Sequence, residues 1–218
     1  MADARSDMPP QARRLGRMVN GVIARAPFLW PLLRSPIRRF FDQRADGWDQ
    51  RTGAGSVDHL AALATATASI SPSIAPERAL DLGTGTGEAA LFLAREYPRA
   101  SVRGVDISTE MVRAARDKVG LDPEGRIAFK VADAADLPYP DGHFDLVTQV
   151  NMPPFFAETA RVLSPGGHVI VVASLGSSTP FFTAPGVLER GFRRHGLEPV
   201  GDGSAGAGTY FIARAGRG

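Results

Sequence analysis

The sequence predicts an α/β fold: a doubly wound sheet of seven strands, the last antiparallel, with helices in front of it. Three observations carry this. Residues 79 to 94, Ala-Leu-Asp-Leu-Gly-Thr-Gly-Thr-Gly-Glu-Ala-Ala-Leu-Phe-Leu-Ala, run from an apolar stretch through an acid and three alternate glycines into an alanine- and leucine-rich helix. That is a strand, a tight turn and a helix N-terminus, the corner at which such sheets bind nucleotides. Four more apolar, β-branched segments follow, separated by stretches with helical periodicity, as right-handed βαβ units require. Finally, residues 197–202 and 209–215 read as two strands around the glycine-rich run 201–208, a closing hairpin.

Taken in order, residues 1–11 have a disordered composition. Residues 12 to 26 form an amphipathic pattern, with Leu15, Met18, Val19, Val22, Ile23 and Ala26 on one stripe and arginines opposite. Residues 27–36 hold three prolines among Phe28, Leu29, Trp30, Leu32 and Leu33, which suggests a bent connector. Short helices are expected near 36–51 and 56–70. Strands are expected near 78–82, 101–106, 127–132, 144–150 and 168–174, and helices near 87–97, 108–119 and 154–163. A helix from Ala184 to His195 precedes the hairpin. The organisation expected is a disordered start (1–11), a helical lid (12–72) and a core (73–218).

Composition narrows the chemistry. At 218 residues, with 44% hydrophobic and 22% charged, the chain suits one globular domain with an appendage. It has no cysteine, so no disulfide framework, thiol nucleophile or Cys-based metal site is available, and no metal is expected. The apolar stretch Ala26 to Leu33 is interrupted by Pro27 and Pro31 and is too short to span a bilayer. Ten of the arginines lie in residues 1 to 51 against five aspartates, leaving the remainder net negative. That basic start keeps contact with a membrane surface open, but it accompanies no nucleic-acid-binding motif, so a solvated helix face is the expectation.

The glycine-rich turn leaves its ligand open. A dinucleotide fingerprint, Gly-x-Gly-x-x-Gly/Ala, would close at Glu88, which does not fit. Asp106 ends the second strand 25 residues after Asp81, where an acid accepts hydrogen bonds from two ribose hydroxyls. Asp133-Ala134 ends the third strand, and Leu137-Pro-Tyr-Pro-Asp-Gly-His-Phe-Asp and Arg161-Val-Leu-Ser-Pro-Gly-Gly flank the fourth and fifth. With the spacing Asp81-Leu-Gly83-Thr-Gly85-Thr-Gly87, these segments resemble the class I S-adenosylmethionine-dependent methyltransferases over roughly residues 76 to 176. The resemblance implies a Rossmann-like fold, S-adenosyl-L-methionine as cofactor, and a cytoplasmic address. It also implies that Asp81 holds the methionine amino group, Ile107 packs on adenine, Asp133 accepts from the adenine amino group and the Ala134 N–H meets a ring nitrogen.

Catalytic residues are harder to name. His143, His168 and His195 precede strands and belong on the edge away from the ligand, where surface or capping roles suffice. His59, in the helix before the first strand, is the histidine with access to the site, though it lacks an evident orienting partner. Methyl transfer proceeds without a base where alignment suffices, since proximity and orientation supply about 7–11 kcal/mol. Gln149 and Asn151 follow as weak catalytic candidates, with Gln149 also a cofactor contact; these two with Met152, Phe155 and Phe156 after the fourth strand, and Ser174, Phe181 and Phe182 after the fifth, are the acceptor-pocket candidates. Each aromatic could equally close the core under a loop.

Asn151-Met-Pro-Pro-Phe155 is similar to the Asn-Pro-Pro-Tyr/Phe of methyltransferases acting on planar amino groups, but Met152 shifts the Asn off register. Ala45-Asp-Gly-Trp-Asp49 resembles a cofactor-covering segment of quinone-biosynthesis and related small-molecule methyltransferases. Trp48 would then wall the site, or else be a plain buried tryptophan. The reading is therefore methyl transfer to a small, partly apolar acceptor. The alternatives are N-methylation of a protein or nucleic-acid base, and a cofactor-binding protein that does not turn over.

Overall fold

The computed structural model describes residues 10–70 and 75–216. Seven strands form one sheet: β1 (Arg78–Leu82), β2 (Ser101–Asp106), β3 (Ile127–Val131), β4 (Phe144–Val150), β5 (Leu163–Ala173), β6 (Leu197–Ala205) and β7 (Gly208–Ala215). Their order is β3-β2-β1-β4-β5-β7-β6, with β7 antiparallel to both neighbours. The last strand thus inserts inside the sheet, as expected. The turn there is tighter than the glycine content suggests, because residues 201–205 extend β6 and only the 206–207 step turns.

Side chains alternate between two helical layers, as strand geometry dictates. On β5, Ile170 and Val172 join the cluster of Leu63, Ala66, Ala90 and Leu93, while Val169 and Val171 join that of Val162, Leu188 and Phe192. The first layer comprises α4 (Val57–Ile70), α5 (Glu88–Glu96) and α6 (Thr109–Asp117), and the second α7 (Phe156–Val162) and α8 (Pro185–Arg193). Although α4 falls within the segment expected as a lid, it packs on β5 and β7. Arg161 is the strut of the loop before β4: it donates to the carbonyls of Leu137 and Tyr139 and pairs with Glu158 and Asp141 at 2.8 Å each.

Three helices precede the core: α1 (Pro10–Arg25), α2 (Trp30–Asp42) and α3 (Trp48–Thr52). Three expectations are corrected here. Helix α1 begins at Pro10, inside the stretch expected to be disordered, while residues 1–9 lie outside the described residues. Of the expected stripe, Val19 and Ile23 are packed, but Met18 is exposed, and Gly16 and Asn20 join the packed face; the Leu15 side chain lies outside the described residues. Asn20 is buried because its amide donates to the Phe182 carbonyl (2.9 Å) and the Thr183 hydroxyl (2.8 Å). The proline-rich segment is a connector only over its first part. The chain leaves helical geometry at Ala26, makes a 3-10 turn, Pro27–Leu29, and enters α2, whose first turn accommodates Pro31 without losing a hydrogen bond, while Pro36 lies inside the helix.

Candidate functional site

A cavity of about 490 Å³ opens beyond the carboxyl ends of β1, β2 and β4. Its floor is the turn between β1 and α5, in which Gly83, Gly85 and Gly87 all have positive φ (68°, 52° and 88°). A Cβ on Gly87 would lie 2.9 Å from Phe129 and 3.0 Å from Ala115, so this glycine lets α5 start tight against the core. A Cβ on Gly85 would meet nothing, so its main chain faces the cavity bare.

Two acids stand in the floor. Asp81 is 1% exposed and accepts from the hydroxyls of Thr84 (2.7 Å) and Thr148 (2.8 Å). Burial pushes its carboxyl up to about 6, against the opposing pull of those hydroxyls. Asp106 accepts from the Gly85 N–H on Oδ2 (2.9 Å) and the Ser108 N–H on Oδ1 (2.8 Å). Burial raises its pKa too, while these backbone bonds lower it. Each of its oxygens has one donor from this set, which leaves acceptor capacity on both for a ligand. Ile107 and Ala134 line the wall beside it.

Asp133 is placed differently from its two counterparts. Its Oδ1 accepts from the Trp30 indole N–H (2.6 Å) and the Ala135 N–H (2.9 Å), and its Oδ2 from Arg34 (3.2 Å). Trp30, Ala132 and Ala134 line the cavity; Asp133 lies behind them.

The roof comes from the first three helices. Gly16, Val19, Leu33, Ile37, Phe41 and Trp48 face inward from it. Trp48 meets Phe41 edge-on at 5.5 Å, and Phe41 leans on Phe181 at 6.5 Å. Two aspartates fasten the roof to the floor's loops. Asp42 accepts from the Ser108 hydroxyl (2.7 Å) and the Glu110 N–H (3.3 Å) at the start of α6. Asp49 accepts from the Thr86 hydroxyl (2.5 Å) and pairs with Lys118, which also holds Glu88 at 2.6 Å. His59 lines the wall from α4; burial lowers its pKa, with the Glu88 and Asp49 carboxylates pulling it back up.

Several candidates from the sequence fall elsewhere. Gln149 is fully buried on the face of β4 opposite Thr148 and Val150, donates to the Thr159 hydroxyl at 2.7 Å, and does not reach the cavity. Period-two alternation excludes it. Phe156 packs edge-on against Phe192 at 4.9 Å beneath α8. Phe182 lines a second cavity of about 310 Å³ beside β5 and β7, with Phe181 as a shared wall. Phe155 and Phe181 do face the main cavity. Asn151 also borders it, at φ 53°, but its amide is spent on Ser174: Oδ1 accepts the backbone N–H and Nδ2 donates to the hydroxyl, both at 2.8 Å. It braces a loop, with one lone pair left on Oδ1. His143, His168 and His195 lie outside the cavity walls, as their positions before strands implied.

Sequence reasoning missed the anchoring roles of Asp42, Asp49 and Trp30, which act on residues more than 35 positions away, and no local pattern announces such pairings. Met152, expected after β4 as a pocket residue, does line the cavity and fills the space over Gly83, where a Cβ would lie 2.6 Å from its sulfur. Among the described residues there is no cluster of His, Asp and Glu able to hold a metal ion, and no helix long and apolar enough to cross a membrane.

Residues 79–167 match the family model described as a methyltransferase domain. The chain is 36% identical over 146 residues to a demethylmenaquinone methyltransferase of Deinococcus radiodurans, covering 62% of this chain and 59% of the relative. It is 44% identical over 101 residues to a malonyl-[acyl-carrier protein] O-methyltransferase of Geobacter sulfurreducens, covering 43% and 37%. The chain thus spans well under two thirds of these relatives' length. Among solved structures, a SAM-dependent methyltransferase from Aquifex aeolicus superposes with a TM-score of 0.60 at 18% identity, over 73% of this chain and 92% of that one. The [4+2]-cyclase SpnF superposes with a TM-score of 0.60 at 20% identity, over 95% and 97%. Residues 79–167 thus match a methyltransferase domain, and the core around them is similar to class I S-adenosylmethionine-dependent methyltransferases.

Proposed function

We propose that this domain binds S-adenosylmethionine in the 490 Å³ cavity and transfers its methyl group to a small, partly apolar, planar acceptor. The observation that carries the reading is the pairing of floor and roof: a buried acid, Asp81, a half-buried acid, Asp106, and a bare glycine turn below, aromatic and aliphatic walls above. The residues suit the cofactor. Asp106 has acceptor capacity for two ribose hydroxyls, Asp81 offers a carboxylate to an ammonium, and the N-terminus of α5 presents unpaired N–H groups to a carboxylate. Bound there, S-adenosylmethionine supplies a methyl carbon on a cationic sulfur that departs as a neutral thioether.

The chain's own contribution is then positioning and exclusion of water. Trp48, Phe41, Phe155 and Phe181 wall the remaining space, in which a flat ring is held by stacking and desolvation. The three N-terminal helices act as its lid, which takes the place of a longer loop after β4. His59, kept neutral by burial, is the candidate base for an acceptor that must lose a proton. A quinol-type ring is the acceptor class we favour, because the Deinococcus relative is named for one and an apolar cavity with few polar groups suits it. The insertion of Met152, which moves Asn151 off the register of the planar-amine motif, weighs against a planar amino group as target. A cytoplasmic address follows from the cofactor, and nucleic acid is not expected as a partner.

Calorimetry with S-adenosylmethionine and its demethylated product, followed by transfer of a labelled methyl group to a panel of phenols, quinols and carboxylates, tests the reading. Binding of both sulfur compounds and label on an aromatic acceptor is the expected result. Binding of NAD with no response to either compound would overturn it.

A further inference from the structure

We propose that the outward face of α2, with the turn before it, docks the protein on an anionic lipid bilayer. The inference stands apart from the cofactor reading, since it concerns the side of the helix that faces away from the cavity. Residues 10–41 hold seven arginines, at 13, 14, 17, 25, 34, 38 and 39, and no acid. Within that basic stretch Pro27, Phe28, Pro31 and Leu32 are all exposed, Phe28 at 78% and Leu32 at 75%. One exposed leucine is ordinary on a soluble protein. These four fall within six residues, in the 3-10 turn and the first turn of α2, and make one apolar knob.

Helix geometry gives the knob its direction. Trp30, Leu33, Ile37 and Phe41 turn toward the cavity, whereas Leu32, Ser35, Arg38 and Arg39 are exposed. Arg39 lies about two turns beyond Leu32 and so on the same stripe. Among the described residues Arg34 is the one arginine of α2 that pairs with a carboxylate, Asp133, which leaves Arg38 and Arg39 for lipid phosphates. On α1, Met18 is 61% exposed, with Arg14 four residues before it and Arg25 seven after, a second stripe of the same kind. The backbone favours entry too. Pro27 and Pro31 have no N–H, and those of Leu29 and Trp30 donate to the Ala26 and Pro27 carbonyls. The knob therefore carries few donors that must lose water in the headgroup layer. A nucleic acid would reward the arginines but not Phe28 and Leu32, and a second copy of the chain would set arginines against arginines. The interface of an anionic bilayer rewards both features.

Co-sedimentation of the full chain with vesicles tests the proposal. Vesicles of phosphatidylcholine and phosphatidylglycerol in equal parts should retain the protein at physiological salt, far more than vesicles of phosphatidylcholine alone. Phe28→Ser combined with Leu32→Ser alters two exposed side chains and should weaken that partition about tenfold or more. Arg38→Gln combined with Arg39→Gln should weaken it and flatten its salt dependence. The emission of a Phe28→Trp variant should shift to the blue when the mixed vesicles are added. Absence of binding to them, or binding unaltered by the double serine variant, overturns the proposal. Tighter retention on duplex DNA of random sequence would also overturn it, in favour of nucleic acid, as would a dimer that the serine variant dissociates, in favour of a second copy.

Discussion

Asp106, which ends β2 in the floor, and Asp133, two residues beyond β3 under the roof, both accept two or more hydrogen bonds, yet they are held in opposite ways. The partners of Asp106, Gly85 and Ser108, are backbone groups of the core, fixed by the turns that adjoin the strand. Two partners of Asp133 are side chains from a helix some 100 residues earlier in the chain. The floor is thus organised by local geometry whether or not the roof is in place. The roof is organised only by docking, through Trp30 and Arg34 on Asp133, Asp42 on Ser108, and Asp49 on Thr86 and Lys118. A preformed floor under a docked roof suits a site that must admit one ligand and then exclude water.

The largest effect should come from breaking the floor. Asp106→Ala removes both proposed ribose acceptors, and hydrogen bonds to a charged group are worth about 1.5–3 kcal/mol each. Affinity for S-adenosyl-L-homocysteine should fall at least tenfold by calorimetry, with the circular dichroism spectrum retained. Unchanged affinity would mean that the floor does not bind the ribose.

Asp81 sharpens the contrast, since the floor acid costs the fold something. Its pKa stands raised from 3.8 to about 6, so the folded state binds the proton more tightly than the unfolded chain. Stability from this group is therefore fully present below about pH 4 and is lost as pH rises through 6, by roughly 3 kcal/mol at about 1.4 kcal/mol per pKa unit. Asp81→Asn should abolish that slope in denaturant titrations between pH 4 and 7 and raise the melting temperature at pH 7, while weakening cofactor binding.

A smaller effect is expected at His59, between floor and roof. Burial lowers its pKa below 6.5, so the imidazole is neutral above that range. If it takes a proton from the acceptor, kcat/KM should rise with pH up to a point below 6.5 and level by pH 7, and His59→Asn should remove that limb. A limb unchanged in the variant would exclude His59 as the base.

The smallest effect belongs to a single roof anchor. Asp49 and Lys118 are each about a quarter exposed, so their pairing is partly screened. Asp49→Ala should destabilise by only about 1 kcal/mol. Turnover should fall more than stability does, because α3 carries Trp48 into the cavity wall.

The same contrast explains what the amino-acid sequence disclosed. The strands of the sheet and the acids at the ends of β1 and β2 were legible because each rests on a short pattern, such as alternate glycines after an apolar run. Gln149 and Phe156 were misplaced by one step: on β4 and just beyond it, neighbouring positions face opposite layers. The roof was legible only as apolar helices in need of a partner. Nothing near Trp30 in sequence indicates Asp133, and the expected stripe on α1 missed Asn20 because a buried amide needs acceptors supplied by residues 182 and 183. Prolines misled as well: Pro31 opens α2 where a bend was expected.

The insertion of β7 between β5 and β6 has a consequence for synthesis on the ribosome. β5, which contains the run Val169-Ile-Val-Val172, pairs on one side with β4, but its other partner is translated about 35 residues later. At roughly 5–20 residues per second, that edge stays open for several seconds of elongation. An apolar strand with unpaired backbone groups is a template for wrong pairing. β6 reaches the tunnel mouth first but has no direct place on β5. With Pro199, two glycines and Asp202, it is poorly suited to capturing that edge. Its weak strand-forming composition keeps the gap for β7, so the outermost strand of the finished sheet also guards the order of assembly.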